Sequence, residues 1–445
     1  STSYVRSLTL NDDDLPIQVG DMALQYSYPS GRLESTSIGN LSDERSYDSH
    51  GRLTSYTVTY TPSSGPAQVI YAYTLSRDVM SRIVGKTETL KGVTSAYVYS
   101  FDSAGRLTAV DKNSQAAASF VYDGNRTSTT IYGVTQTSSF DNQDRIIDFG
   151  SKTFAYNDNG DLESAQYSTG ATQTYSYDEF GSLLASTATN GKVVTYGVDG
   201  FNRRSRITHN GTVQTRFLYE DKLRVAAELD SGGVLRSEFV YATGRHVPDY
   251  MIKSGVKYQI IADHLGSPRL VVNVATGEIA QRIDYDTFGR ITFDSNSCFQ
   301  PFGFAGGIWD PDTKLVRFGA RDYDPEIGRW ASKDPIGFGG GDANLYGYVM
   351  NDPVNLIDPT GLWGIQIGYN FSGFLGFAGA GVSGGIAIVG DGLDLSSIAV
   401  DIFQGSQFNA GIGFSGGRGI QVSVTPGAKC LGDLGGQAFG GGIDT

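Results

Sequence analysis

Cysteine is nearly absent from this sequence: Cys298 and Cys430 are the only two in 445 residues. They allow one bridge at most, so no disulfide framework organises the fold. Histidine and methionine are equally scarce, at four each. His50, His209, His246 and His264 are scattered, with no cysteine or acidic partner at metal-ligand spacing, so neither a metal nor a cofactor is expected. No apolar run of about 18 residues occurs, which argues against a transmembrane helix. Charged residues make up only 18%, and acids outnumber bases to give a net charge of −13. Nucleic-acid binding needs phosphate-neutralising cations, so the body of the chain is not expected to bind nucleic acid. The chain starts Ser-Thr-Ser-Tyr, without an initiator methionine or a signal-peptide pattern, and reads as a fragment of a longer protein.

What is abundant is glycine (59), tyrosine (26) and phenylalanine (23). Aromatic, β-branched and serine-rich stretches punctuated by glycine are the composition of many short strands. The punctuation repeats. Tyr47-Asp48 leads into Gly51-Arg52-Leu53, Phe101-Asp102 into Gly105-Arg106-Leu107, Tyr122-Asp123 into Asn125-Arg126, and Phe140-Asp141 into Asp144-Arg145-Ile146. Tyr177-Asp178 leads into Gly181-Ser182-Leu183, and Tyr285-Asp286 into Gly289-Arg290-Ile291. Turn positions at 31, 51, 81, 105, 125, 144, 160, 181 and 202 give a period near twenty. A Gly, Asn or Asp before the Arg is the residue type that tolerates a left-handed conformation in a hairpin. One hairpin cannot be stable alone, so neighbours must stack. The spacing predicts one long, winding antiparallel sheet over 1–362 with few or no helices, and with Gly51, Gly105, Gly181 and Gly289 at turns. Within each repeat, Tyr and Asp read as structural residues, and the Arg as a turn residue pairing with Asp.

The consensus resembles the YD (Rhs) repeat over about residues 20–362. The second half is the more specific. Asp263-His264-Leu265-Gly266-Ser267-Pro268-Arg269 resembles that family's hallmark segment. Phe302-Gly303-Phe304-Ala305-Gly306, Arg321-Asp322-Tyr323-Asp324-Pro325, Asp334-Pro335-Ile336-Gly337, Asn344-Leu345-Tyr346 and Asp358-Pro359-Thr360-Gly361-Leu362 then follow in the order of an Rhs-associated core. Relatives of this kind include C subunits of insecticidal ABC toxins, type VI secretion effectors and teneurins. The resemblance implies an all-β spiralling shell, or cocoon, that ends in the core domain. It implies boundaries of 1–255 for the repeats, 256–362 for the core and 363–445 for a variable C-terminal cargo or toxin segment. It also implies an aspartyl autoprotease in the core, with Asp334, Asp358 and Arg321 as its catalytic set and cleavage between Leu362 and Trp363.

Peptide hydrolysis by two carboxyls needs one to take a proton from water and one to polarise the carbonyl. Paired carboxylates do not both ionise readily, so the roles divide between them. Arg321 can hold an ionised carboxylate by a charge-assisted contact. Asp-Pro-x-Gly is also a good type I turn, and local physics alone favours that role; the ordered series reverses the preference. The spacer between Gly337 and Asp358 has 20 residues, and its Gly339-Gly340-Gly341-Asp342 reads as a flexible loop enlargement. His264 reads as a packing or hydrogen-bonding residue rather than a base.

Residues 363–445 are a different material, with 23 glycines among 83 residues and neither His nor Glu. Alternation at Ile365, Ile367, Tyr369 and Phe371, at Phe408–Phe414, and at Ile420, Val422 and Val424 reads as short strands. Missing His and Glu disfavour a hydrolase or transferase in this tail. The functional expectation is a shell that encapsulates its own C-terminal segment, releases it by self-cleavage and is secreted or delivered out of a bacterial cell. Expected partners are that segment, an N-terminal or B-type chain completing the shell, secretion machinery and an immunity protein. The alternative is a non-enzymatic YD-repeat surface protein for cell contact or carbohydrate binding.

Overall fold

The computed structural model describes residues 7–362, together with the backbone of three further strand segments at 366–367, 398–403 and 419–424. Among the described residues there is no α-helix; the helical turns are short 3-10 segments at Phe304–Gly306, Gly337–Gly340 and Val349–Asn351. None is long and apolar enough to cross a membrane. Twenty-eight strands, from Leu8–Leu10 to Ile291–Asp294, form one sheet in which each strand pairs antiparallel with the next.

The repeat explains itself in atoms. Each Tyr or Phe faces the Leu or Ile six residues on: Tyr47 opposite Leu53, Phe101 opposite Leu107, Tyr177 opposite Leu183 and Tyr285 opposite Ile291, with a register shift at that step each time. Between them the Asp folds the turn. Asp48 Oδ1 accepts the N–H groups of His50 and Arg52, both at 2.9 Å, and Asp48 Oδ2 accepts from Arg52 Nε at 2.6 Å. The same three bonds recur at Asp102, Asp141 and Asp199. Short carboxylates that cap their own backbone are the reason Asp favours turns. Gly51, Gly105, Gly181 and Gly289 all have positive φ, between 79° and 91°. Ser81, Asp144 and Asn202 occupy the same left-handed position in other repeats.

Several of these Arg side chains also reach the next repeat. Arg82 stacks 5.0 Å from the Phe101 ring centre, Arg106 lies 4.6 Å from Tyr122, and Arg203 lies 4.6 Å from Tyr219. The tyrosine hydroxyls then donate back, Tyr47 to Leu33 O at 2.7 Å and Tyr122 to Leu107 O at 2.8 Å. Turn, cation and ring thus form a ladder from one hairpin to the next.

Two places depart from the expectation. After Tyr122-Asp123 the turn is tighter, because Asp123 pairs directly with Asn125 around Gly124 alone. Arg126 is consequently buried, stacked 4.0 Å from Phe288 and donating to Ile327 O. The meander passes residues 255 and 256 without a break and ends at Asp294 rather than running on to 362. A second sheet follows, with strands Ile308–Asp310, Leu315–Phe318, Arg321–Asp324 and Arg329–Trp330. Its Leu315, Ile327 and Ala331 pack with Phe149, Leu183 and Val194 of the meander. Phe304, Phe318, Tyr323, Trp330 and Tyr348 form an aromatic nucleus of its own. The meander also curls on itself: the Asn40 N–H donates to Val274 O at 2.8 Å, and Lys257 pairs with Asp21 at 2.6 Å. Strand Leu356–Ile357 pairs with Gln366–Ile367, and Ile398–Phe403 pairs with Gly419–Val424, which contains the alternation at 420–424. Of the stretch at 365–371 only Gln366–Ile367 is described, and the stretch at 408–414 lies outside the described residues.

Candidate active site

The second sheet presents Arg321 from the start of a strand, just after a tight hairpin at Gly319 and Ala320. A Cβ on Gly319 would sit 2.2 Å from Thr360 O, so only glycine lets the segment at 358–362 approach. That approach is fixed by the Ala320 N–H donating to Thr360 O at 2.8 Å. Arg321 is almost fully buried and lies 4.2 Å from the Trp330 ring centre.

All three residues read from the sequence meet here. Arg321 Nη2 is 2.9 Å from Asp334 Oδ2 and 3.4 Å from Asp358 Oδ2. Its Nε donates to Gly361 O, and its Nη1 donates to Leu345 O at 3.2 Å. Both Asp-Pro-x-Gly segments are turns as well. The Gly337 N–H donates to Asp334 O at 2.9 Å, and the Ile336 N–H to Asp334 Oδ1 at 3.0 Å. Asp358 Oδ1 accepts from Thr360 Oγ1 at 3.0 Å, from Gly361 N at 2.9 Å and from Leu362 N at 3.3 Å. The turn and site readings therefore coexist: each turn leaves one carboxylate oxygen facing the same guanidinium. Leu362 is held by its N–H on Asp358, while Trp363 lies outside the described residues.

Gly340 was not legible as a site residue. Its segment, read as a flexible enlargement, is the 3-10 turn Gly337–Gly340, and Gly340 is buried. A Cβ placed there would lie 2.7 Å from Asp334 Oδ2 and 3.3 Å from Leu362 O. Asp334 Oδ2 and the Leu362 carbonyl oxygen therefore both border the space that a Gly340 side chain would fill. The small cleft around these groups is also lined by Asp342 and Asn344.

Burial pushes the Asp334 carboxyl up to about 6; Arg321 opposes the shift, and the Asp358 charge adds to it. Burial lowers the Arg321 pKa, against the pull of both aspartates. The arrangement provides one carboxyl that keeps its proton up to about pH 6, a second carboxyl, and a cation common to both.

The site is tied to the repeats by buried amides. Asn344 Nδ2 and Arg329 Nη1 both donate to Asn125 Oδ1, at 2.6 and 2.8 Å. Arg329 Nη2 donates to Asn344 Oδ1 at 3.0 Å and to Asp144 O at 2.5 Å. The neighbouring Leu345 O accepts from the Asp334 N–H at 3.0 Å. Two repeat turns thus buttress the loop on which Arg321 and Asp334 rest.

The histidines stay apart from this site. His264 Nε2 bonds Val354 O at 2.9 Å beside the Tyr73 ring, and burial lowers its pKa to about 4. His246 bonds Ala305 O at 2.9 Å, and His209 pairs with Asp312 at 3.0 Å. Among the described residues no group of His, Cys, Asp and Glu could hold a metal ion. Cys298 is exposed, and Cys430 lies outside the described residues.

Comparison with known proteins agrees with this architecture. Teneurin-3 of Danio rerio is 26% identical over 364 residues, covering 76% of this chain and 13% of that protein. Teneurin-3 of Mus musculus is 28% identical over 364 residues, with the same coverage. The double-stranded DNA deaminase toxin A of Burkholderia cenocepacia (strain H111) is 33% identical over 172 residues, 34% of this chain and 12% of that protein. The chain therefore spans about an eighth of the curated relatives it matches. The crystal structure of TcdB2-TccC3 shares its fold, with a TM-score of 0.57 and 18% identity over 80% of this chain and 21% of that one. TcdB2-TccC3-TEV gives 0.56 and 16%, over 80% and 20%. The teneurin YD-shell family model matches residues 17–354, and with its winding YD-repeat sheet the chain belongs to that family.

Proposed function

We propose that the chain is part of a toxin-encapsulating shell whose core, within 256–362, cuts its own backbone after Leu362 to free the segment 363–445. One observation carries the reading: Arg321 ties Asp334, Asp358 and the Gly361 carbonyl together, while Asp358 and Asp334 flank the N–H and the carbonyl of Leu362. In the proposed step the Asp334 carboxyl donates its proton to the Leu362 carbonyl oxygen. Asp358 takes a proton from the attacking water, whose oxygen bonds the carbonyl carbon. As the carbon–nitrogen bond breaks, that proton passes to the nitrogen of residue 363, and Asp334 recovers its own. The likeness of part of the chain to a protein named as a toxin supports the cargo reading, as does the abrupt change of composition at residue 363. Delivery outside a producing cell, a further chain completing the shell, secretion machinery and an immunity protein belong to the same proposal.

Intact-mass spectrometry tests it. Asp334→Asn and Asp358→Asn should each leave a whole chain with an unchanged circular dichroism spectrum, because removing either carboxyl removes one of the two roles. Asn variants that still cut after Leu362 would refute the assignment. The coverage by teneurins favours a second reading, a surface contact protein without enzymatic activity. That reading predicts a wild-type chain that stays intact.

A further inference from the structure

The two aspartates of the proposed reaction share a construction: each gives Oδ1 to its own turn and Oδ2 to Arg321. A third aspartate beside them is built the same way. Gly341, left-handed at φ 78°, turns the chain out of the 3-10 segment Gly337–Gly340 and into Asp342. Asp342 Oδ1 accepts the Asn344 N–H at 2.8 Å, as a turn aspartate does. Its Oδ2 lies against Gly347, where a Cβ would come within 2.7 Å of it. Gly347 bridges to Arg329 on the strand Arg329–Trp330, and Asp342 and Gly347 line the same cleft as Arg321, Asp334 and Asp358. Arg321 serves the first two carboxylates, whereas among the described residues Asp342 has no ion pair. The turn accounts for one of its oxygens and leaves the other at the cleft without a cation.

We infer that Asp342 is a third carboxylate of the self-cleaving site, a positioning residue that keeps the proton on Asp334 and so sets the pH range in which the chain cuts itself. The inference rests on the reaction proposed above. Carboxylates held in one cleft resist ionising together, so an unpaired one favours the protonated form of its neighbour. Burial is the largest cause of the raised Asp334 pKa; the charges of Asp358 and Asp342 add to it, against Arg321. Few other charged or titratable groups are near. Arg329 lies within the field of Asp342, but its N–H groups are bound to Asn125, Asn344 and Asp144 O. Tyr348 faces Asp358, and Lys333 turns away to Gly160.

Asp342→Asn tests the inference, because the amide keeps an oxygen for the Asn344 N–H and removes only the charge. Cleavage of the full chain is followed by intact mass across about pH 5 to 7.5. The fall in rate on the alkaline side should move down by about 0.5 pH unit or more. The variant should therefore be less than about twofold slower at pH 5 and about threefold or more slower at pH 7. Asp342→Glu, which restores the charge, should return the profile towards that of the wild type. A second readout does not need cleavage. In the Asp358→Asn chain, the carboxyl carbon resonance of Asp334 is identified by its loss when Asp334→Asn is added. Its titration midpoint should fall by a similar amount when Asp342→Asn is added instead. A wild type that stays whole would refute the reaction, whereas an unmoved midpoint, or a loss of rate equal at every pH, would overturn the role of Asp342.

Discussion

The repeats and the core use the same two side chains, Asp and Arg, in opposite ways. In the repeats the pair is local: Asp102 and Arg106 are four residues apart, bonded at 2.7 Å, and about a quarter exposed. In the core Arg321 reaches carboxylates 13 and 37 residues away, and every partner is almost fully buried. The local pair folds a turn and is screened by solvent, so each copy contributes little and can be replaced: position 182 carries Ser where other repeats have Arg. The buried triad is assembled by tertiary contacts and perturbs its own ionisation. The proposed chemistry draws on the charge that is scarce and fixed, and the repeats buttress the loop that fixes it.

The sharpest way to break this contrast is Arg321→Lys. Lysine keeps the charge but cannot serve two carboxylates and two carbonyls at once, so the rate of self-cleavage should fall about 100-fold or more. A time course of intact mass reads this directly. Gly340→Ala fills the space between Asp334 and Leu362 without any positive φ to strain it, and should slow cleavage about tenfold or more with little loss of thermal stability. Asn125→Ala tests whether the repeats position the site. It removes the acceptor shared by Asn344 and Arg329 and should slow cleavage about tenfold.

The pH profile should follow Asp334. A carboxyl raised to about 6 carries its proton below that pH and loses it as pH rises through it. A step needing the protonated form should therefore be fastest below pH 6 and fall towards about tenfold per unit above it. A rate that rises with pH in that range would reverse the acid and base roles. The smallest effect is expected in the repeats. Asp102→Asn keeps the turn's acceptor and loses the ion pair, which should cost about 0.2–1 kcal/mol in denaturant unfolding and leave cleavage unchanged.

The same division explains what could be read from sequence. The turn at Gly105 was legible because its determinants, Asp102, Gly105 and Arg106, sit within five residues. Arg321, Asp334 and Asp358 were legible only through the order of their motifs, since local physics assigned both aspartates to turns, and turns they are. Gly340 and Asn125 were not legible. Each matters through a group far away in the chain, Leu362 O in one case and Asn344 in the other, and no spacing rule encodes such a contact. The end of the meander at Asp294 is not encoded locally either: the strands of the second sheet are as short and as rich in buried apolar and aromatic residues as those before them, and Gly303, Gly306 and Gly307 mark the change of partner.

The central claim is that the buried Arg321 cluster cuts the chain at residue 362. Intact-mass and N-terminal analysis of the folded wild-type chain at pH 5.5 tests it most directly. The account predicts two fragments, the smaller beginning at Trp363. A wild-type chain that stays whole under these conditions, or that is cut elsewhere, would contradict it.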